Sequence, residues 1–135
     1  MSDTLKVCGL TIERGTKLRT YLPVPDTNVK IPLTIINGEN DGPTLLITAG
    51  IHGGEYPGIA AAMELGRDIE PEHVTGCLIM MHPVNIQGFW ARREMIVPED
   101  GKNLNRVFPG DPTGTLADKT AYLISNNFFP IADFM

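Results

Sequence analysis

Residues 44–49 (TLLITA) form an apolar run with little alternation, and a glycine-rich stretch from Gly50 to Gly54 follows at once. A strand that is apolar on both faces fits a sheet covered on both sides, as in α/β proteins. Residues 55–69 then carry Ile59, Ala62, Met63 and Leu65 at spacings that a helix can gather on one face. Pro57 is tolerated in a first helical turn, where its missing N–H would lack a partner anyway. The chain is therefore expected to leave a buried strand, turn through glycines and enter a helix.

The flanking segments fit around that corner. Residues 7–12 and 17–22 are strand-like, with Gly15 between them and Pro23 and Pro25 closing the second. Residues 29–37 alternate, which puts Ile31, Leu33 and Ile35 on one face of a strand. Asn40, Asp41, Gly42 and Pro43 form a turn signal. These elements suggest an antiparallel hairpin or meander at the front of the domain. Residues 76–81 give a second buried strand that stops at His82 and Pro83. Residues 84–115 show no strong periodicity, and a loop this long inside a compact domain is usually functional or disordered. Residues 116–129 are expected to be helical, burying Ala117, Ala121, Leu123 and Ile124, with Pro130 as the stop. Residues 131–135 (IADFM) resemble the start of a third buried strand.

Composition narrows the function. The 135 residues are 42% hydrophobic and 20% charged, ordinary for one globular domain with a buried core. A net charge of -5 and the lack of a basic block argue against a nucleic-acid partner or an anionic membrane surface. No apolar run approaches the ~20 residues of a membrane span, and the first residues lack the basic and apolar regions of a signal peptide. Cys8 and Cys77 form no CxxC pair, so both are expected to be small buried residues in a reducing compartment. A cytoplasmic location is the expectation.

Two motifs carry chemistry. His52, Gly53, Gly54 and Glu55 fall at the strand-to-helix corner. An imidazole and a carboxylate three residues apart can reach one ion, and zinc accepts both donors at roughly 2.0–2.2 Å. The glycines would let the backbone turn tightly and keep bulk off the metal. The competing structural reading is a polar loop with a helix-capping Glu55. The second motif is DGKNLNRVFPG, residues 100–110. Arg106 can grip a carboxylate through two parallel hydrogen bonds, and Asn105 adds an amide donor and acceptor. The competing structural reading is a turn at Asp100 and Gly101 with Arg106 in an internal salt bridge.

An HGGE corner after TLLITAG, with DGKNLNRVFPG about fifty residues later, resembles the succinylglutamate desuccinylase/aspartoacylase family, a branch of the zinc carboxypeptidase-like hydrolases. The resemblance implies an α/β fold with a mixed sheet between helices and metal-assisted hydrolysis of an amide bond. It implies that His52 and Glu55 are two of three Zn2+ ligands and that Asn105 and Arg106 bind a substrate carboxylate. An upstream arginine would stabilise the oxyanion; Arg92 and Arg93 both stand in that region, and Arg93 is preferred. A glutamate would act as general base.

In the family, the third ligand is a histidine in a later strand, in a motif like DLHGG, and the general-base glutamate lies further on. No histidine follows Arg106 and no glutamate follows Glu99. His73 and His82 are expected to be structural or solvated. Residues 1–135 are therefore expected to be the N-terminal portion of the zinc hydrolase domain, truncated before the site is complete. The C-terminal half of the same protein would be the natural partner. The substrate would be a small N-acyl amino acid or a short peptide. The alternatives are a carboxypeptidase-like peptidase and a non-catalytic carboxylate-binding module.

Overall fold

The computed structural model describes residues 3–135. The chain opens with an antiparallel hairpin of β1 (Thr4–Val7) and β2 (Leu10–Glu13). The single stretch expected over residues 7–12 is thus divided in two. Cys8 and Gly9 take φ values of 49° and 76°, and a two-residue turn with both φ positive matches the twist of paired strands. Cys8 is consequently exposed at the turn rather than buried.

A four-stranded sheet follows in the order β3–β4–β6–β5, built from β3 (Thr16–Pro23), β4 (Lys30–Asn37), β5 (Asn40–Thr48) and β6 (Thr75–Met81). β3 and β4 pair antiparallel, as do β4 and β6, whereas β5 and β6 run parallel. The sheet is mixed. The crossover that parallel pairing demands is α1 (Tyr56–Asp68). β5 begins at Asn40, so the expected turn at residues 40–43 is instead an irregular strand start, where the register shifts between Asn40 and Thr44.

Side chains on both faces of the sheet are buried. Ile31, Leu33, Ile35, Leu46, Cys77, Ile79 and Met81 share one core with Ala117, Ala121, Leu123 and Ile124 of α3 (Leu116–Asn127). Burial pushes the Cys77 thiol up to about 11. Ile36, Leu78 and Met80 form a second cluster on the opposite face. α1 covers that side so closely that a Cβ on Gly66 would meet Thr34 Oγ1 at 3.1 Å. The α/β architecture, a mixed sheet flanked by helices, agrees with the expectation from sequence.

Two expectations fail in detail. α1 buries Ile59, Ala62 and Gly66, while Met63 and Leu65 are exposed. The buried face steps through positions 59, 62 and 66, so 63 and 65 fall on its flanks. β5 is not covered throughout, because Leu45 is 38% exposed where Leu46 is 1% exposed. On its outer edge β5 bridges to the end of the chain. Phe134 forms a parallel bridge with Leu45, and Leu46 N–H donates to the Phe134 carbonyl at 2.9 Å. Residues 131–135 therefore touch the sheet, but Phe134 and Met135 stay exposed. Among the described residues, no helix is long and apolar enough to cross a membrane.

Candidate active site

The site forms where β5 and β6 end side by side, the crevice in which open α/β sheets hold ligands. Three backbone bonds cross this junction. Ala49 N–H donates to Met81 O at 2.9 Å, Val84 N–H to Ala49 O at 2.8 Å, and Asn85 N–H to Gly50 O at 2.9 Å. The loop carrying His52 is thereby stitched to the segment that follows β6. That segment contains α2 (Ile86–Trp90), which Asn85 caps by accepting from Gly88 N–H at 2.9 Å. The Asn85 amide also donates to Ile96 O at 3.1 Å, which folds residues 91–97 back over the helix.

The two glycines of the corner form the centre of a turn, closed by Glu55 N–H donating to His52 O at 3.2 Å, and they also serve contact. Neither has a positive φ. A Cβ on Gly53 would sit 2.4 Å from Phe89 N, and one on Gly54 2.9 Å from Glu94 Cα. Only a bare backbone admits this approach, and Gly54 N–H donates to Glu94 O at 3.2 Å.

His52 and Glu55 meet directly. His52 Nδ1 lies 2.8 Å from Glu55 Oε1. Glu55 occupies the N-cap of α1 without capping it, because its carboxylate turns to His52 instead. The other ring nitrogen, Nε2, lies 2.9 Å from Asn103 Oδ1. That bond does most to raise the His52 pKa above its ordinary value, and Glu55 adds to it. Partial burial and the Arg106 charge oppose the rise. A neutral imidazole nitrogen and a carboxylate are both zinc donors, and 2.8 Å is only slightly closer than the ~3.3 Å between neighbouring donors on a tetrahedral ion. The pair fits a cation in place of the shared proton. Among the described residues no third His, Cys, Asp or Glu joins it.

The loop of the second motif is pinned by its first half and displays its second. Asp100 Oδ2 accepts from Thr115 Oγ1 at 2.7 Å and from Ala117 N–H at 2.8 Å, at the start of α3. Lys102 pairs with Asp118. The internal ion pair of the competing reading thus belongs to Lys102, not Arg106. The Arg106 guanidinium reaches the Asn105 carbonyl at 3.4 Å, and no carboxylate pairs with it among the described residues. Asn105 and Arg106 are both exposed on a 3₁₀ turn, Leu104–Arg106, anchored by the fully buried Leu104. Asn105 also lines a largely apolar cleft of about 270 Å³ with Thr48, Ile51, Phe108 and Phe129.

Arg92 and Arg93 are exposed on the stretch that packs over Gly54. Arg92 adopts a φ of 54°, and Arg93 N–H donates to Gly88 O at 2.9 Å. Arg93 directly precedes Glu94, the residue bonded to Gly54.

The remaining histidines stand apart. His82 is buried, and its Nε2 lies 2.8 Å from Thr34 Oγ1. His73 closes a 3₁₀ turn by accepting from Glu70 N–H at 3.1 Å. The residue that sequence reasoning missed is Asn103. It touches His52 and caps the turn bearing Asn105, so the two motifs meet at its side chain. The trace in the sequence is an asparagine two positions before Asn105, where a turn's N-cap belongs.

Comparison with known proteins follows the same lines. The profile of the succinylglutamate desuccinylase/aspartoacylase catalytic domain matches residues 41–134. The N-alpha-acetyl-L-2,4-diaminobutyric acid deacetylase of Halomonas elongata is 40% identical over 120 residues, covering 84% of this chain and 34% of the relative. The crystal structure of a succinylglutamate desuccinylase/aspartoacylase from Rhodobacter sphaeroides superposes with a TM-score of 0.83 at 34% identity, over 98% of this chain and 42% of that one. The product-bound ectoine utilization protein EutE of Ruegeria pomeroyi gives a TM-score of 0.82 at 38% identity, over 89% of this chain and 38% of that one. The chain spans about a third of the length of the deacetylase it matches. With a profile match over residues 41–134, more than half of its length, and a shared fold at 34% identity, the chain belongs to the succinylglutamate desuccinylase/aspartoacylase family.

Proposed function

We propose that residues 1–135 carry the N-terminal part of a zinc-dependent hydrolase that cleaves the amide bond of a small N-acyl amino acid. The observation that carries this reading is the meeting of two loops. The His52–Glu55 pair and the Asn105–Arg106 turn lie together through Asn103, so a cation and a substrate carboxylate would be held side by side. The substrate named for the Halomonas relative belongs to this class.

His52 and Glu55 would hold the zinc ion. Bound there, zinc supplies Lewis acidity toward the scissile carbonyl and lowers the pKa of a water toward ~7. Arg106 fixes the substrate by its carboxylate in a bidentate grip, with Asn105 adding an amide contact. Arg93 donates to the oxygen on which negative charge develops. In this reading a histidine and a general-base glutamate outside residues 1–135 complete the site, contributed by the C-terminal half of the same protein. The parallel bridge from Leu45 to Phe134 supports this, since a strand continuing in that direction would run toward the His52 end of β5. A cytoplasmic location belongs to the same proposal and is supported by two cysteines that form no disulfide.

The test uses the full-length protein. Hydrolysis of N-acyl amino acids is expected to stop on chelation and to return with zinc. Equal or faster cleavage of short peptides would move the assignment to a peptidase. Binding of carboxylates without turnover of either class would leave only a binding module.

A further inference from the structure

We propose that Glu94 sets the acyl specificity of the site, its carboxylate bordering the place of the acyl group and turning away acyl groups that carry a negative charge. This deepens the deacylase reading above and rests on it. Gly54 stands between the two proposed ligands, His52 and Glu55. Glu94 is laid directly on it. Gly54 N–H donates to Glu94 O at 3.2 Å, and a Cβ on Gly54 would meet Glu94 Cα at 2.9 Å, Cγ at 3.0 Å and Cβ at 3.3 Å. The backbone and the side-chain stem of Glu94 both rest on the corner, with the carboxyl carbon one bond beyond Cγ. Glu70, Asp100 and Asp118 each tie the fold together through a partner. Glu94 does not. It is exposed, and among the described residues its carboxylate enters no hydrogen bond and no ion pair.

The flank on which Glu94 lies is the acyl flank. In the proposed pose the substrate carboxylate is at Arg106, on the side of His52 that faces Asn103. The scissile carbonyl is at the His52–Glu55 pair, with its oxygen at Arg93. The acyl substituent leaves that carbonyl on the side away from the carboxylate grip. Glu94 follows Arg93 in the chain, so it stands beside that substituent. The same stretch is rich in apolar surface. The rings of Tyr56 and Phe89 meet edge to face at 5.9 Å, those of Phe89 and Trp90 at 5.3 Å, and Trp90 is 73% exposed. An uncharged acyl group suits such surroundings. A terminal carboxylate on the acyl group would meet Glu94 charge to charge, and apolar neighbours screen that repulsion poorly. The nearby cations are Arg92 and Arg93, and neither pairs with Glu94. The acyl group is therefore of the acetyl kind, uncharged, and not of the succinyl kind.

Three substrates that share one amino acid separate charge from size in the full-length protein. They are the N-acetyl compound, the N-succinyl compound and the N-succinamyl compound, which matches succinyl in shape but carries no charge on the acyl group. Wild-type kcat/KM is expected to be roughly 10–100-fold higher for succinamyl than for succinyl. Glu94→Gln should bring that ratio close to one, and Glu94→Lys should invert it. The ratio decides, because a defect in folding or metal binding lowers both rates together. A wild-type protein that treats the two alike or prefers succinyl overturns the proposal, as does a ratio that Glu94→Gln leaves unchanged. If only the N-acetyl compound is hydrolysed, inhibition constants of the other two against it replace the rates. If no N-acyl amino acid is hydrolysed, the deacylase reading fails by itself, and calorimetric Kd values for the succinyl and succinamyl compounds decide the role of Glu94. Absence of inhibition or binding by both compounds counts against it.

Discussion

Single side chains decide the electrostatics of the candidate site. Arg106 lacks a carboxylate partner among the described residues, and that leaves its guanidinium available to a ligand. Replacing Arg106 with alanine should remove a charged hydrogen-bond pair worth about 1.5–3 kcal/mol. In the full-length protein, KM is expected to rise roughly 10–100-fold with a smaller change in kcat. Arg93→Ala should act on the other parameter and lower kcat by roughly 10²–10³, with KM little changed. Steady-state kinetics on one N-acyl amino acid separate the two, and an Arg92→Ala variant with the kcat loss instead would transfer the role to Arg92. His82 shows the opposite case, a histidine removed from solvent. Burial does most to hold its imidazole below the ordinary 6.5. The unfolded chain therefore binds more protons than the folded one as pH falls through 6.5 toward the lower folded value. Stability is fully present above that window and declines within it. Urea midpoints measured from about pH 7.5 to pH 5.5 should fall in the wild-type protein, and Asn or Gln at position 82 should flatten the slope.

At the scale of elements, the start of α3 holds the second motif in place. Asp100 accepts from the Ala117 backbone and the Thr115 hydroxyl, so Asp100→Ala should cost about 0.5–2 kcal/mol, as loss of an N-terminal cap does. Chemical denaturation reads that loss, and Asp100→Asn should recover part of it. The elements themselves were largely legible. Alternation in β4 marked Ile31, Leu33 and Ile35, and the apolar run of β6 marked a strand buried on both faces. Ala117, Ala121, Leu123 and Ile124 marked the inner face of α3. Legibility failed where a tertiary neighbour decides. Nothing local separates Met63 from Ile59; the face of α1 is chosen by the approach of Gly66 to Thr34. The corner glycines suggested a tight turn, which the Glu55 N–H to His52 O bond closes, but their lack of side chains is required by Phe89 and Glu94, residues supplied by another segment. Asn103 was missed for the same reason, since its importance lies in a contact made across 51 positions.

At the scale of the molecule, one sheet with helices on both sides brings the two loops to the same end of β5 and β6. The opposite end carries a cleft of about 250 Å³ lined by Arg14, Asp41, Gly42 and Cys77, remote from His52. The order of assembly follows from the parallel pair. Hairpins such as β1–β2 and β3–β4 join strands that are neighbours in the chain and can close early. β5 and β6 can register only after α1 has carried the chain back across the sheet, and non-local pairings of this kind form slowly. All three bonds that seat the His52 loop cross that junction. In a refolding experiment, zinc uptake should therefore lag behind the recovery of helical circular dichroism rather than guide it. The proposed metal pocket would then be a late product of folding, and a chain caught before β6 docks would have its helices but nowhere to put the ion.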